Sequence, residues 1–259
     1  MAEPSSPPKY LVVYLDATFY KVQQENRVVN KAVYVGIGIG LDGQKEVLGM
    51  WICQVEGSRY WTGILSELRN RGVEDICIIC VDGLVGMVEA IHAIFPQTDI
   101  QRCIVHQLRT TRNLLSYKEW KAIFPDLLAI YKAPSEDAAN YALEQLAAKW
   151  EKSHYKMVQS WRESWPELST YFKYPPEIRK IIYTTNAIEN FNRQLRKAGK
   201  HHVVFPTDDA LFKTLYLAMT EITWKCGNRP TYWNWSQMLE QFMIYFEGRI
   251  TMEDINVNL

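Results

Sequence analysis

The chain has 259 residues, of which 47% are hydrophobic and 13% aromatic, enough to bury the core of one large domain or two small ones. Basic and acidic residues number 29 each, so the formal net charge is zero, which argues against an indiscriminate nucleic-acid coat but leaves room for a local basic patch. The five cysteines are odd in number, which favours a reduced compartment over a disulfide scaffold, and we expect neither a membrane-spanning segment nor a signal peptide.

The first part of the chain predicts a flexible leader and then an antiparallel meander. Residues 1–9 are rich in proline and serine. Apolar residues from Leu11 to Asp16, from Val28 to Gly40 and from Val47 to Cys53 predict three strands. Turn signals at Glu25-Asn26 and Asp42-Gly43 join these strands into hairpins.

The hydrophobic period then alternates between helix and strand. A helix is predicted to begin with Ser58 as its cap and to stop near Gly72. A fourth strand covers residues 76–82, a helix follows from Gly83, and a short fifth strand covers residues 99–103. This order predicts an α/β fold with a mixed five-stranded sheet flanked by helices.

The second part of the chain predicts helices alone. Residues 114–131, 136–150 and 155–165 have helical periodicity, with breaks at Pro134 and Pro166, and residues 208–224 and 233–246 form further helices. We therefore divide the chain into a leader (1–9), the first part of a core (10–106), an all-helical insertion (107–175), the second part of the core (176–250) and a tail (251–259).

One predicted helix, which covers residues 184–197, combines an acid with several cations. At 100° per residue, one narrow stripe carries Glu189, Arg193, Arg196 and Lys200, and the opposite side carries Ile188, Phe191, Leu195 and Ala198. A carboxylate can hold a divalent metal, and cations on the same face suit a phosphate backbone. The simpler interpretation is a capping box, in which Glu189 reaches back to the backbone N–H of an N-cap at Asn186.

Two strands of the predicted sheet end in acids, Asp16 and Asp82. Sites in open α/β sheets form at the carboxyl ends of strands, so these acids meet if the first and fourth strands are neighbours. The helix that carries Glu189 could add a third carboxylate. Three converging carboxylates repel one another unless a cation neutralises them, and Mg²⁺ suits such oxygen ligands. Taken singly, each acid is more simply explained as a turn or cap residue.

Several long segments resemble the catalytic region of Mutator-type insertion-sequence transposases of bacteria, in register from about Tyr10 to Ile250. The segments are Tyr14-Leu15-Asp16-Ala17, Val29-Asn30-Lys31-Ala32-Val33-Tyr34, Glu46-Val47-Leu48-Gly49, Val81-Asp82-Gly83-Leu84, Cys103-Ile104-Val105-His106-Gln107, Ile182-Tyr183-Thr184-Thr185-Asn186-Ala187-Ile188-Glu189, Asn192-Arg193-Gln194, Phe205-Pro206-Thr207-Asp208-Asp209-Ala210-Leu211 and Phe246-Glu247-Gly248-Arg249. The resemblance implies an RNase H-like fold with an all-α insertion domain before the last catalytic helix. It also implies an Asp-Asp-Glu triad of Asp16, Asp82 and Glu189.

The resemblance further implies a function, cofactors and partners. The enzyme would use two Mg²⁺ ions, with Mn²⁺ as a substitute, and no small-molecule cofactor, to cleave the phosphodiester at transposon ends. The freed 3′-OH would then attack target DNA. We expect a homo-oligomer on DNA, without membrane contact, in the bacterial cytoplasm and on the nucleoid. DNA contacts are expected from the cations of the acid-bearing helix, which are Arg193, Arg196, Lys197 and Lys200.

Two departures from the family pattern bear on DNA binding. The family usually carries a helical N-terminal region that recognises transposon ends, and none is apparent here. It also usually has lysine where this chain has Val85. We expect weak DNA binding without strong sequence preference and with a steep dependence on salt.

Other candidate residues have competing interpretations. Cys77 and Cys80 are spaced like half a zinc site, but residues three apart in a strand point to opposite faces, so both are expected in the core. The resemblance implies a structural or supporting role near the active site for Cys103 and His106. Trp161 and Trp165 are either core aromatics or a stacking platform for an unpaired base.

Two rival functions remain open from the sequence. One is another RNase H-like nuclease, such as a resolvase or a hydrolase of RNA/DNA hybrids, which the helical insertion disfavours. The other is a non-catalytic relic that binds only DNA or partners, which the apparent lack of an end-recognition region favours.

Overall fold

The protein contains one mixed five-stranded sheet within the residues that the computed structural model describes, which are 9–53, 57–183, 186–200, 202–226 and 234–257. The strands are β1 (Lys9–Gln24), β2 (Arg27–Gly40), β3 (Lys45–Cys53), β4 (Asp75–Val81) and β5 (Asp99–Arg102), in the order β3-β2-β1-β4-β5. Strand β1 is antiparallel to β2 and parallel to β4. The predicted α/β architecture, a mixed five-stranded sheet flanked by helices, is confirmed.

Strand β1 is longer than the sequence predicts, because it continues past Asp16 to Gln24. Beyond Asp16 the buried residues alternate, with Thr18, Tyr20 and Val22 inside. The predicted turn at Glu25-Asn26 is present, and both residues have positive φ, as a tight hairpin turn requires. The result is a long β1–β2 ribbon with one buried face.

The described residues form two compact units, the first within residues 1–99 and 185–259 and the second within residues 100–184. The helices of the first unit are α1 (Ser58–Asn70), α2 (Met87–Ile94), α8 (Asn186–Gly199), α9 (Asp208–Cys226), α10 (Trp235–Tyr245) and α11 (Met252–Val257). The N-cap of α1 is Gly57, and Ser58 is its first helical residue rather than the predicted cap.

The second unit is helical after β5, with α3 (Ile104–Asn113), α4 (Tyr117–Tyr131), α5 (Glu136–Trp150), α6 (Tyr155–Leu168), a 3-10 helix (Ser169–Lys173) and α7 (Pro176–Ile182). Its range includes the predicted all-helical insertion, whose boundaries at 107 and 175 remain a prediction. Pro166 does not break α6 as predicted, since the helix continues to Leu168. Only the bond from its missing N–H is lost, one turn before the helix ends.

The predicted helix from Leu114 to Tyr131 begins at Tyr117, after the separate helix α3. Ser116 and Glu119 form a capping box at its start: the Ser116 N–H donates to Glu119 Oε2 at 2.7 Å, and the Glu119 N–H donates to Ser116 Oγ. Hydrogen bonds from the Ser116 side chain and from the Ser116 backbone N–H, together with one from His154, lower the pKa of the Glu119 carboxyl. A short side chain that caps the backbone therefore decides where one helix ends and the next begins.

Trp161 lies in the core of the second unit. Its side chain is 1% exposed, and its Nε1–H donates to Thr111 Oγ1 at 2.9 Å, which links α6 to α3. Trp165 is half-buried on the same helix, and its Nε1–H donates to the Asn140 side chain of α5. The covered ring of Trp161 favours the core interpretation, and base stacking at Trp161 or Trp165 stays a prediction.

Hydrogen bonds from Arg249 attach the C-terminal part of the first unit to the start of β4. The Arg249 guanidinium donates to both carboxylate oxygens of Asp75, at 2.9 and 2.8 Å, and to the carbonyl oxygens of Ile76 and Gln97. The predicted tail contains α11, where Asp254 pairs with Lys9 at 2.7 Å. Lys9, placed in the predicted leader, is the first described residue of β1.

The described cysteines Cys53, Cys77, Cys80 and Cys103 are buried and form no disulfide with one another. Burial raises the pKa of the Cys77 thiol to about 12, so this residue is a protonated core side chain at neutral pH. Among the described residues, no helix is both long enough and apolar enough to cross a membrane.

We predict that Arg249→Met lowers the free energy of unfolding by about 2–3 kcal/mol, because it leaves the Asp75 carboxylate partly buried without its bidentate partner. The urea midpoint measures this change. Lys213→Met is the matched control, since Lys213 is an exposed cation on α9 and its loss should change stability by less than about 0.5 kcal/mol. Equal urea midpoints for the two variants would show that the Arg249–Asp75 pair does not stabilise the fold.

We predict that Trp161→Ala costs about 3–5 kcal/mol of stability, because it empties a core site and removes the buried hydrogen bond that Thr111 Oγ1 accepts. Trp165→Ala should cost less, since that ring is already partly exposed. Thermal melting of both variants measures the difference. A Trp161→Ala protein with unchanged melting but impaired DNA processing would support base stacking instead.

Candidate active site

Asp16 is a carboxylate held inside the sheet. It lies on β1 with 5% of its surface exposed. Its Oδ1 accepts a hydrogen bond from the Ala17 N–H at 2.9 Å, and its Oδ2 accepts one from Asn192 Nδ2 on α8 at 2.7 Å. Burying a charged group is costly unless it is hydrogen-bonded, and these contacts both hold and orient it.

Asp82 follows the last residue of β4, beside Asp16. Strands β1 and β4 are parallel neighbours, as the predicted site requires, and the last residue pair in their register is Leu15 with Val81. Asp16 and Asp82 are the next residue on each strand. Neighbouring strands lie about 4.8 Å apart, so the two acids lie side by side at the carboxyl end of the β1–β4 pairing.

The loop after Asp82 is fixed against α1. The Leu84 N–H donates to the Asp82 carbonyl oxygen at 2.7 Å, and Trp61 Nε1–H donates to the Val85 carbonyl oxygen at 3.1 Å. Gly86 has a φ of 74°, and a Cβ at this position would lie 2.3 Å from the backbone nitrogen of Ser58. Any larger residue at position 86 would clash with the start of α1, so only glycine fits here. In the loop held by these contacts, the Val85 side chain is 72% exposed.

Helix α8 has the two faces that the sequence predicts. Ile188, Phe191 and Leu195 are buried, whereas the cations are exposed: Arg193, Arg196, Lys197 and Lys200. Glu189 is half-buried, between these two faces. Asn192 lies one turn further along, about 60° around the helix from Glu189. The side of α8 that contacts Asp16 is therefore the side from which Glu189 projects.

The far end of α8 is also attached to β1. A Cβ on Gly199 would lie 2.7 Å from the Tyr20 ring, so the helix backbone passes close to this side chain. After the helix, the Phe205 N–H donates to the Lys21 carbonyl oxygen, and the Gln23 N–H donates to the Phe205 carbonyl oxygen, both at 2.8 Å. These contacts lay α8 along the extension of β1. The first unit thus holds the helix at its middle and at its end.

The capping-box interpretation of Glu189 stays a prediction. Helix α8 begins at Asn186, but the side chain of Asn186 lies outside what the structure describes. His201, in the loop after α8, also lies outside the described residues, whereas His202 is exposed beside the Phe205 ring, at 4.7 Å between centroids.

Cys103 and His106 belong to the second unit. Cys103 is buried and precedes α3 as its N-cap residue, and His106 lies on the first turn of α3. The His106 Nε2 is 3.1 Å from Arg109 Nη1. Their expected structural or supporting role near the site remains a prediction.

The roles of Asn192, Trp61 and Gly86 were not predicted from the sequence. Asn192 appeared only within a family segment, although an amide at a position on the apolar side of α8 is a detectable signal of a buried hydrogen bond. Trp61 was predicted only as an apolar helix residue. Nothing local marks it as an anchor for the loop after Asp82, because its partner is a backbone carbonyl 24 residues away.

The chain is similar to known transposases over most of its length. Residues 5–227 match the family described as Transposase, Mutator family. A transposase for insertion sequence element ISRM3 of Rhizobium meliloti (strain 1021) is 42% identical over 243 residues, which are 93% of this chain and 60% of that protein. A probable transposase for an insertion sequence element of Corynebacterium diphtheriae is 40% identical over 214 residues, 82% of this chain and 62% of that protein.

Among solved structures, one chain of the simian T-cell lymphotropic virus intasome in complex with PP2A regulatory subunit B56 gamma aligns with 55% of this chain and 49% of its own length. Its TM-score is 0.28 and its identity 14%, too low to bear on fold or function. The chain spans about 60% of the length of the transposases named above. The match to residues 5–227 nevertheless covers most of the sequence, and the chain belongs to the Mutator family of transposases.

Proposed function

We propose that this chain carries the catalytic centre of a DNA transposase, in which Asp16, Asp82 and Glu189 together hold divalent cations. The observation that carries the proposal is the parallel register of β1 and β4, which ends at Leu15 and Val81 just before the two aspartates. The hydrogen bond from Asn192 to Asp16 supports the third ligand, because it turns the Glu189 side of α8 toward the same edge. Membership of the Mutator family supports the reaction class.

The chemistry of the three side chains fits Mg²⁺, with Mn²⁺ as a substitute. Carboxylate oxygens are the ligands that these hard cations prefer. Asp16 is 5% exposed, and the Asn192 amide orients it without neutralising its charge, so the carboxylate is available to balance a cation. Two such ions, when bound, would stabilise the attacking and leaving oxygens of a phosphodiester displacement.

In this proposal the protein acts mainly by positioning and by charge. Asp16, oriented by its hydrogen bonds from Ala17 and Asn192, would hold divalent cations together with Asp82 and Glu189. Water would attack the phosphodiester at a transposon end in line with the leaving oxygen and free a 3′-OH. The same site would then direct that 3′-OH onto target DNA. Holding the reacting groups in line supplies much of the rate.

The exposed cations of α8 would bind the phosphate backbone next to the reacting bond. Arg193 is oriented by Asn190, whose Oδ1 accepts its guanidinium N–H at 2.8 Å. Arg196 and Lys197 are exposed on the next turn of the same helix, and Lys200 is exposed directly after its last residue, Gly199. DNA is the expected partner, bound by a homo-oligomer in the bacterial cytoplasm and on the nucleoid.

We predict that Glu189→Gln abolishes cleavage while the protein stays folded. The neutral amide loses the charge that holds the cation, and the melting temperature should hold or rise slightly because one of three repelling carboxylates is gone. Cleavage of transposon-end DNA with Mg²⁺ or Mn²⁺ should fall by orders of magnitude, and DNA binding in Ca²⁺ should persist. Asp16→Asn should behave in the same way in the cleavage assay.

A capping box at the start of α8 makes the opposite prediction, because glutamine also serves at its third position. A Glu189→Gln protein that cleaves at near wild-type rate would return Glu189 to the helix cap. The three-carboxylate mechanism would then be wrong. Cleavage that survives in Asp16→Asn would point to a nuclease of another design.

We predict that the double variant Arg196→Gln, Lys200→Gln weakens DNA binding equally for all sequences. The slope of log K against log salt should fall by about one for each cation removed, because each phosphate contact releases a counterion. Fluorescence anisotropy across a salt series measures the slope. Lys149→Gln is the control, since its ammonium already pairs with Asp126 at 2.8 Å and its slope should match that of the wild type. An unchanged slope in the double variant would remove α8 from the DNA interface.

A further inference from the structure

Asn192 is a buried amide whose position packing alone does not explain. Its side chain is 0% exposed, and its Nδ2 donates to Asp16 Oδ2 at 2.7 Å across 176 residues of sequence. Its Oδ1 is buried and has no hydrogen-bond partner among the residues that the structure describes. An unsatisfied buried carbonyl oxygen destabilises the fold, and leucine would fill nearly the same volume without that cost. The donor to Asp16 is therefore the feature that the side chain supplies.

An amide is suited to hold a carboxylate that must also balance a cation. A lysine or arginine at this position would pair with Asp16, cancel its charge and compete with a metal ion. The Asn192 N–H fixes the direction of Oδ2 while the carboxylate keeps its full charge. The Ala17 N–H acts in the same way on Oδ1, at 2.9 Å.

The same hydrogen bond also sets the rotation of α8. Asn192 and Glu189 are three residues apart on one helix, so their side chains project from neighbouring positions on its surface. When Asn192 is bound to Asp16, a rotation or slide of α8 that moved Glu189 would break the bond. This side-chain hydrogen bond between α8 and β1 thereby fixes Asp16 and Glu189 relative to each other.

We propose that Asn192 is a positioning residue: by hydrogen bonding to Asp16, it holds the Asp16 carboxylate and the Glu189 helix in the arrangement that binds divalent cations. This inference rests on the proposed function of the three acids and adds to it a fourth side chain that touches neither the cation nor DNA. Groups that orient metal ligands typically change metal affinity by about 10–100-fold when removed.

The test is the affinity of the full chain for Mn²⁺, measured by isothermal titration calorimetry in the absence of DNA. Asn192→Leu should raise the Kd by about tenfold or more, while the melting temperature of the metal-free protein stays close to that of the wild type or rises. Asn192→Ala, which introduces no larger group, is the second variant and should show the same loss of affinity even if it melts earlier.

Thr98→Val is the matched structural control. The Thr98 side chain is buried in the same unit, and its Oγ1–H donates to the Ile76 carbonyl oxygen at 2.7 Å. Its loss removes a buried hydrogen bond of equal length away from Asp16. This variant should melt earlier than the wild type yet bind Mn²⁺ with unchanged Kd.

The outcomes separate this inference from the proposed function. If Asp16→Asn and Glu189→Gln abolish Mn²⁺ binding but Asn192→Leu and Asn192→Ala bind within twofold of the wild type, Asn192 is not a positioning residue and the three-acid site stands. If Mn²⁺ binding is indifferent to Asp16→Asn and Glu189→Gln, the proposed function fails and the role of Asn192 fails with it. A weakened Kd in Thr98→Val equal to that in Asn192→Leu would also overturn the inference.

Discussion

The pairing of β1 on both of its sides is the constraint on which the first unit depends. Its antiparallel partner β2 follows it to Gln24, whereas its parallel partner β4 follows it only to Leu15. Asp16 therefore lies where one neighbour ends and the other continues, and Asp82 lies on the strand that ends. Beyond Leu15, β1 continues without β4 beside it. Helix α8 lies along this extension of β1, held through Asn192 and the Phe205 contacts.

Helix α8 has three kinds of residue on three different parts of its surface. One face packs Ile188 and Leu195 in the core, the opposite face exposes cations, and the border between them carries Glu189 and Asn192. Polar groups at that border are half-buried or buried, where hydrogen bonds and charges act in a lower dielectric than at the surface. A helix that packs on a sheet edge through such a border can present an acid to the edge while its cations stay in solvent.

The second unit is stabilised mainly by contacts among its own helices. Its helices are linked by buried polar contacts such as Trp161 with Thr111, and its helix starts are set by capping residues such as Ser116. Burial raises the pKa of Tyr183 to about 12, so this phenol is a neutral part of an aromatic cluster with Tyr131 and Tyr171 rather than a titrating group. Among its tryptophans, Trp161 is the fully buried core residue.

The sequence by itself determined the five strands and most of the helices, though not α3, α7 or α11. It also determined the hairpin at Glu25-Asn26, the two faces of α8 and the family, because these follow from periodicity, turn chemistry and long local segments. Tertiary structure decided what depends on partners far along the chain. The extension of β1 past Asp16 exists because β2 and α8 cover it, and the continuation of α6 through Pro166 costs only one hydrogen bond near its end. Asn192 gains its meaning only when α8 meets β1, since the two residues of that hydrogen bond are 176 positions apart.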